Sequence, residues 1–263
     1  MKKYYPIILS LVIMAFFSSC NQAKKENAGF TVERIDLSDT TYMEQGAADS
    51  PKFEAEISLY EIKMESQEAT DNINRTIAYT VIDKDTTPIA AVCREYIDTR
   101  KREFLSLRPD YIELRERGEE FFWLSHSYSV NSEIVTGYKG YINYIIYFYE
   151  FTGGAHPSSW CTVLNFDPEN GNEIVIEDLI KENGEEEIRN KLKAGIARHF
   201  GVDTFDEVKE NGYLFDDEVP LASNFIAGKD SFTFIYNKYE IAPYAAGEIT
   251  VNIAVEDIKN ILK

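Results

Sequence analysis

Phe53, Ala55, Ile57 and Leu59 alternate with polar or acidic neighbours, and this period of two commits the segment to a strand with one buried face. Residues 119–131 and 138–151 are richer still in aromatic and β-branched side chains. Polar turn material at 135–137 separates them, so they read as paired strands. Residues 160–166 predict another strand, closed by Asp167-Pro168-Glu169-Asn170-Gly171, whose residue types favour a tight turn, before a return at 173–176. Strands are also expected at 225–236 and 247–254.

Helical spacing takes over elsewhere. Ile73, Ile77 and Ala78 suit a first helix or helical turn. Pro88 stands at a good first-turn position, and Ile89, Val92, Cys93, Tyr96, Ile97, Phe104 and Leu107 then predict an amphipathic helix ending near Arg108 and Pro109. Ile188, Leu192, Ile196 and His199 line one stripe over 185–200, with Gly201 as its stop, and 255–262 suits a short terminal helix. Hairpin strands with segregated helices make an α+β fold of mainly antiparallel sheets. With 44% hydrophobic and 13% aromatic residues, such a chain has ample material for a core.

The N-terminus gives an address. Lys2 and Lys3 precede a largely apolar run over 7–17, too short to span a bilayer, and Ser18-Ser19-Cys20 follows. This is the grammar of a bacterial lipoprotein signal, so residues 1–19 are expected to be removed and Cys20 to carry lipid. Residues 20–50 are polar and weakly periodic, and read as a tether. The place of work is then the cell envelope, on a bacterial membrane, with the periplasmic face of an outer membrane favoured by the lack of an acidic cluster directly after Cys20. Cys93 and Cys161 are a candidate disulfide, with two buried thiols as the alternative.

The formal net charge of −18 argues against nucleic acid, which needs a basic patch, and favours a cationic protein partner by steering. His126, His156 and His199 offer no pair at helical ligand spacing, and no metal site is expected. Asp167, Glu169, Asn170 and Asp178 look superficially like calcium ligands, but the glycine falls one position early and a hairpin turn fits better. No nucleophile elbow, P-loop or dinucleotide fingerprint stands in a fitting context, so neither cofactor nor catalytic residue is predicted.

Two runs carry a resemblance: Tyr147-Phe148-Tyr149-Glu150-Phe151-Thr152-Gly153-Gly154-Ala155-His156-Pro157 with Asn165-Phe166-Asp167 and Asp178-Leu179-Ile180, and then 232–247. Together they resemble the extracytoplasmic region shared by the lysozyme-binding anti-sigma factor RsiV and the non-catalytic N-terminal part of the peptidoglycan deacetylase PdaC. The resemblance implies two consecutive α+β modules, drawn here at 51–157 and 158–263, each a mainly antiparallel sheet with one or two helices. It implies a non-catalytic, lipid-anchored envelope binding protein, with a lysozyme-like cationic protein or peptidoglycan as ligand. The rival is a hydrolase or deacetylase-like enzyme on wall polysaccharide, with His156 as acid or base.

Gly153 and Gly154 permit positive φ and Pro157 stiffens the exit, which sets His156 on a shaped loop. Its imidazole either serves a ligand or holds that loop by a hydrogen bond. Trp160 is a binding anchor or a cover for the core. Tyr239, Pro243, Tyr244 and Gly247 form a kinked aromatic segment that either faces a ligand or packs back on the sheet. The candidate binding residues are therefore Gly153, Gly154, His156, Pro157, Trp160, Tyr239 and Tyr244.

Overall fold

The computed structural model describes residues 25–27, 29–47 and 49–263; the expected signal at 1–19 and the expected lipidation site Cys20 lie outside the described residues. Six strands form the larger sheet in chain order: β1 (Lys25–Asn27), β2 (Phe30–Tyr42), β3 (Lys52–Met64), β4 (His126–Thr136), β5 (Ile142–Phe151) and β6 (Ser158–Phe166). Every neighbouring pair is antiparallel except β3 and β4, which run parallel from Phe53 opposite His126 to Ser58 opposite Asn131. A parallel pair needs a crossover, and the chain supplies it with α1 (Gln67–Ile82), α2 (Ile89–Ser106) and α3 (Arg108–Arg117).

The helices begin and end for local reasons. Ser66 Oγ accepts the Ala69 N–H at the start of α1, and Asp83 closes it in the left-handed region with φ 54°. Ile73, Ile77 and Ala78 of α1 and Ile89, Val92, Cys93 and Phe104 of α2 then face one side of the sheet. There they meet Phe53, Ala55, Ile57, Leu59, Val130, Tyr144 and Ile146 in one core. Asn74 secures α1 to β3, its amide accepting from Ile62 N at 3.1 Å and donating to Ile62 O at 2.7 Å.

The tether reading fails for part of its length. Phe30–Tyr42 is a thirteen-residue strand paired with β3 from end to end. Its alternation is hidden because the inward side changes phase: Phe30 and Val32 point to the core, then Ile35 and Leu37. β3 slips in the same place, between Leu59 and Ile62. At the slip Tyr60 is served by side chains, its N–H donating to Tyr144 Oη at 3.0 Å and its carbonyl accepting from the same hydroxyl at 2.8 Å.

The second module has α4 (Ile176–Leu179), α5 (Glu185–His199), α6 (Phe205–Glu210) and a three-stranded antiparallel sheet of β7 (Phe225–Ala227), β8 (Ser231–Tyr236) and β9 (Ile249–Ala254). The strand expected over 225–236 is thus a hairpin, and the terminal helix is only a 3-10 turn at Val255–Asp257. α5 lies close on β9: a Cβ at Gly195 would stand 2.2 Å from Val251 Cγ1. Both modules are α+β, as the sequence pattern predicts. The division drawn at 157 falls inside the larger sheet, because β6 pairs with β5 from Ser158 to Phe166.

Candidate functional site

The modules are joined along β6, an edge strand whose outward backbone groups need partners. Asparagines of the second module provide them. Asn224 Oδ1 accepts Val163 N at 2.8 Å, and its Nδ2 donates to Cys161 O at 2.7 Å. Asn237 Oδ1 accepts Cys161 N at 2.8 Å, and its Nδ2 donates to Cys161 O at 3.0 Å. From the sheet side, Asn165 Nδ2 donates to Phe225 O at 2.9 Å and Asn143 Oδ1 accepts Ala227 N at 2.8 Å. Ile145, Cys161, Val163 and Ile235 close the apolar part of this seam. Gly137 is required by proximity alone, since a Cβ there would come within 1.9 Å of the Ala227 carbonyl oxygen.

The seam separates the two thiols. Cys93 lies in the helix-facing core and Cys161 in the seam on the other face of the sheet, so the candidate disulfide is not formed. Burial pushes each thiol up to about 12, which makes both poor nucleophiles.

Where the seam reaches the surface, the predicted loops converge. His156 stacks on Tyr244 with centroids 4.1 Å apart and planes at 19°, and Tyr239 lies 5.6 Å from Tyr244. His156 Nδ1 is 3.1 Å from Pro157 O, so the imidazole braces its own loop. Gly153 makes the bend at φ +89°, where a Cβ would meet Trp123 O at 2.4 Å. Gly154 also has positive φ, 97°, and faces open space. Trp160 stacks flat on Phe148 at 4.9 Å and packs against the main core, as the core-cover reading expects.

Tyr239 is held at φ +67°, a region that is a genuine outlier for a bulky residue, and the residue is 56% exposed. The turn is fixed by Asn237 N–H donating to Glu240 Oε2 at 2.8 Å, and the Tyr244–Ala246 turn by His199 Nε2 at 3.1 Å from Ala246 O. His199, read from sequence only as part of a helical stripe, therefore anchors the aromatic loop to α5.

Two cavities flank this cluster. One, of about 290 Å³, is lined by Glu150, Ser158, Ser159, Trp160, Lys238, Tyr239 and Tyr244. The other, of about 380 Å³, runs over the outer sheet face past Asn131, Tyr147, Tyr149 and Glu248. Ser159, Trp160 and Lys238 border both, so the cavities form one groove along the seam. Lys238 Nζ donates to Ser159 Oγ at 3.0 Å and stands 5.0 Å from the Tyr244 centroid. Burial raises the Tyr147 phenol above its ordinary value, which keeps it a neutral donor.

Lys238, Ser159 and Glu150 escaped the sequence reading. Tyr147 and Tyr149 carried a signal, as large rings on the alternate face of a strand whose other face is core. Among the described residues no three His, Cys, Asp or Glu side chains converge on a metal position. Asp167, Glu169, Asn170 and Asp178 hold turn geometry instead: Asp167 Oδ1 accepts Glu169 N at 2.7 Å, Asn170 Oδ1 accepts Asn172 N at 2.8 Å, and Asp178 Oδ2 accepts Val175 N at 3.1 Å. No described helix is long and apolar enough to cross a membrane.

Fold and seam together define a two-module α+β protein in which asparagine amides of one module finish the sheet edge of the other. Residues 177–256 match the family model described as "Protein of unknown function (DUF3298)". A crystal structure of a DUF3298 family member from Bacteroides fragilis has 25% identity and a TM-score of 0.78, covering 90% of this chain and 96% of that one. A DUF3298 family protein from Pseudomonas aeruginosa, at 16% identity and a TM-score of 0.56, covers 88% and 94% and shows the same fold. A search of curated proteins finds no match.

Proposed function

We propose that this is a non-catalytic, lipid-anchored binding protein of the bacterial envelope, and that its ligand is cell-wall glycan held in the seam groove. The observation that carries this reading is the convergence of Trp160, Tyr239, Tyr147 and Tyr149 on a continuous groove with hydroxyl, carboxylate and ammonium groups between them. Aromatic faces present broad apolar area at low entropic cost, and flanking polar groups orient a hydroxylated ligand. The RsiV and PdaC resemblance and the lipoprotein-like N-terminus support an envelope role. His156, whose ring stacks on Tyr244 and whose Nδ1 meets Pro157 O, is assigned to the loop and not to acid–base chemistry.

A second reading, capture of a lysozyme-like cationic protein, draws on the outer sheet face. Strand register places Glu56, Ser129, Tyr149 and Ser159 in one row, and Ser58, Asn131 and Tyr147 in the next. That face is open, acidic at β3 and tyrosine-rich at β5, and charge complementarity would speed a basic partner onto it. Co-sedimentation with purified peptidoglycan and interferometry against a cationic lysozyme, each across a salt series, separate the two. Salt-resistant retention by the wall, reduced in Tyr239→Ala, supports the first reading. Saturable binding to lysozyme over a charge-matched basic control, lost with salt, supports the second and displaces the first.

A further inference from the structure

We propose that the seam groove contains a subsite for the carboxylate of an acidic N-acetylated sugar, with Lys238 as the group that reads it; the inference rests on the glycan-binding reading above. Among the described residues Lys238 is the only cation lining either cavity of the groove, and it lines both. An ammonium carries three donors, and one is engaged by Ser159 Oγ at 3.0 Å. Among the described residues Lys238 forms no ion pair with a carboxylate, so its charge is available to a ligand.

The surroundings hold that charge in place. Tyr244 has His156 stacked at 4.1 Å, while Lys238 Nζ stands 5.0 Å from the same ring. Tyr244 is therefore a pillar that positions the ammonium, and the rings left open to a ligand are Tyr239 and Trp160. Glu150 faces one cavity and Glu248 the other. Their side-chain oxygens offer acceptors, which suits the hydroxyl and amide N–H donors of an N-acetylated sugar. A polyanion is opposed by a chain of formal charge −18, whereas a single carboxylate needs only the one local cation. An aminosugar with one carboxylate meets each of these demands.

The test titrates the full chain in detergent with N-acetylmuramic acid and, as the same aminosugar without the lactyl ether that bears the carboxylate, N-acetylglucosamine. The expected result is tighter binding of the acidic sugar by about tenfold, the preference given by one hydrogen bond to a charged group. Lys238→Met should bring the two sugars to within about twofold of each other, and Lys238→Arg should keep the preference. Matching melting curves for the variants exclude loss of fold as the cause. Equal affinity for the two sugars in the wild type, or a preference that survives Lys238→Met, overturns the subsite. Equal affinity that disappears in Tyr239→Ala overturns the subsite while leaving the glycan groove intact; failure to bind either sugar or the wall overturns both.

Discussion

Asn224 and Asn237 converge on one carbonyl, and this predicts that their removal is worse together than the sum of the separate losses. In Asn224→Ala the Val163 N–H loses its acceptor, but Cys161 O retains the Asn237 amide. In Asn237→Ala the Cys161 N–H is orphaned, but Cys161 O retains Asn224. Each single change strands one backbone donor at the seam and should cost about 2 kcal/mol. The double variant strands both donors and also the carbonyl, adding a coupling of about 1 kcal/mol. Urea unfolding of the four proteins, followed by tryptophan fluorescence, measures the cycle from midpoints and slopes. Coupling within about 0.5 kcal/mol of zero, the usual scatter of independent sites, would refute the shared-acceptor account.

Three further outcomes follow from the same geometry. Gly137→Ala should destabilise by about 1–3 kcal/mol, the range for forced overpacking, because its methyl meets the Ala227 carbonyl; an unchanged urea midpoint would show that the seam yields freely. Burial lowers the His126 pKa below its ordinary 6.5, against an opposing pull from Glu103. The unfolded chain then takes up the proton first, so stability is fully present above that value and declines as pH falls below it; urea midpoints that do not fall between about pH 7 and pH 5.5, or a fall that persists in His126→Phe, would contradict this. Cys93 and Cys161 should react with a thiol reagent only after unfolding, and their crosslinking by a mild oxidant in the native state would contradict their placement on opposite sheet faces.

What could be read from the sequence was whatever depends on local pattern. The β3 alternation, the α2 and α5 stripes and the glycine-histidine-proline loop each announce themselves within a dozen residues. Phe30–Tyr42 did not, because its phase slip breaks the period of two just where Val32 gives way to Ile35. The asparagines were equally silent. Asn224 and Asn237 look like turn residues, and only the approach of β6 turns their amides into a substitute strand. For the same reason Tyr239 and Tyr244 were legible as a kinked aromatic segment, whereas Lys238 gained meaning only beside Ser159 from the other module.

The most direct test of the groove is hydrogen exchange on the full chain with and without solubilised peptidoglycan fragments, read by peptide. Slowed exchange confined to 147–161 and 236–248 is the predicted result. Protection restricted to the outer face of β2 and β3, or to the acidic turn at Asp216, Asp217 and Glu218, or no protection at saturating fragment, would contradict it.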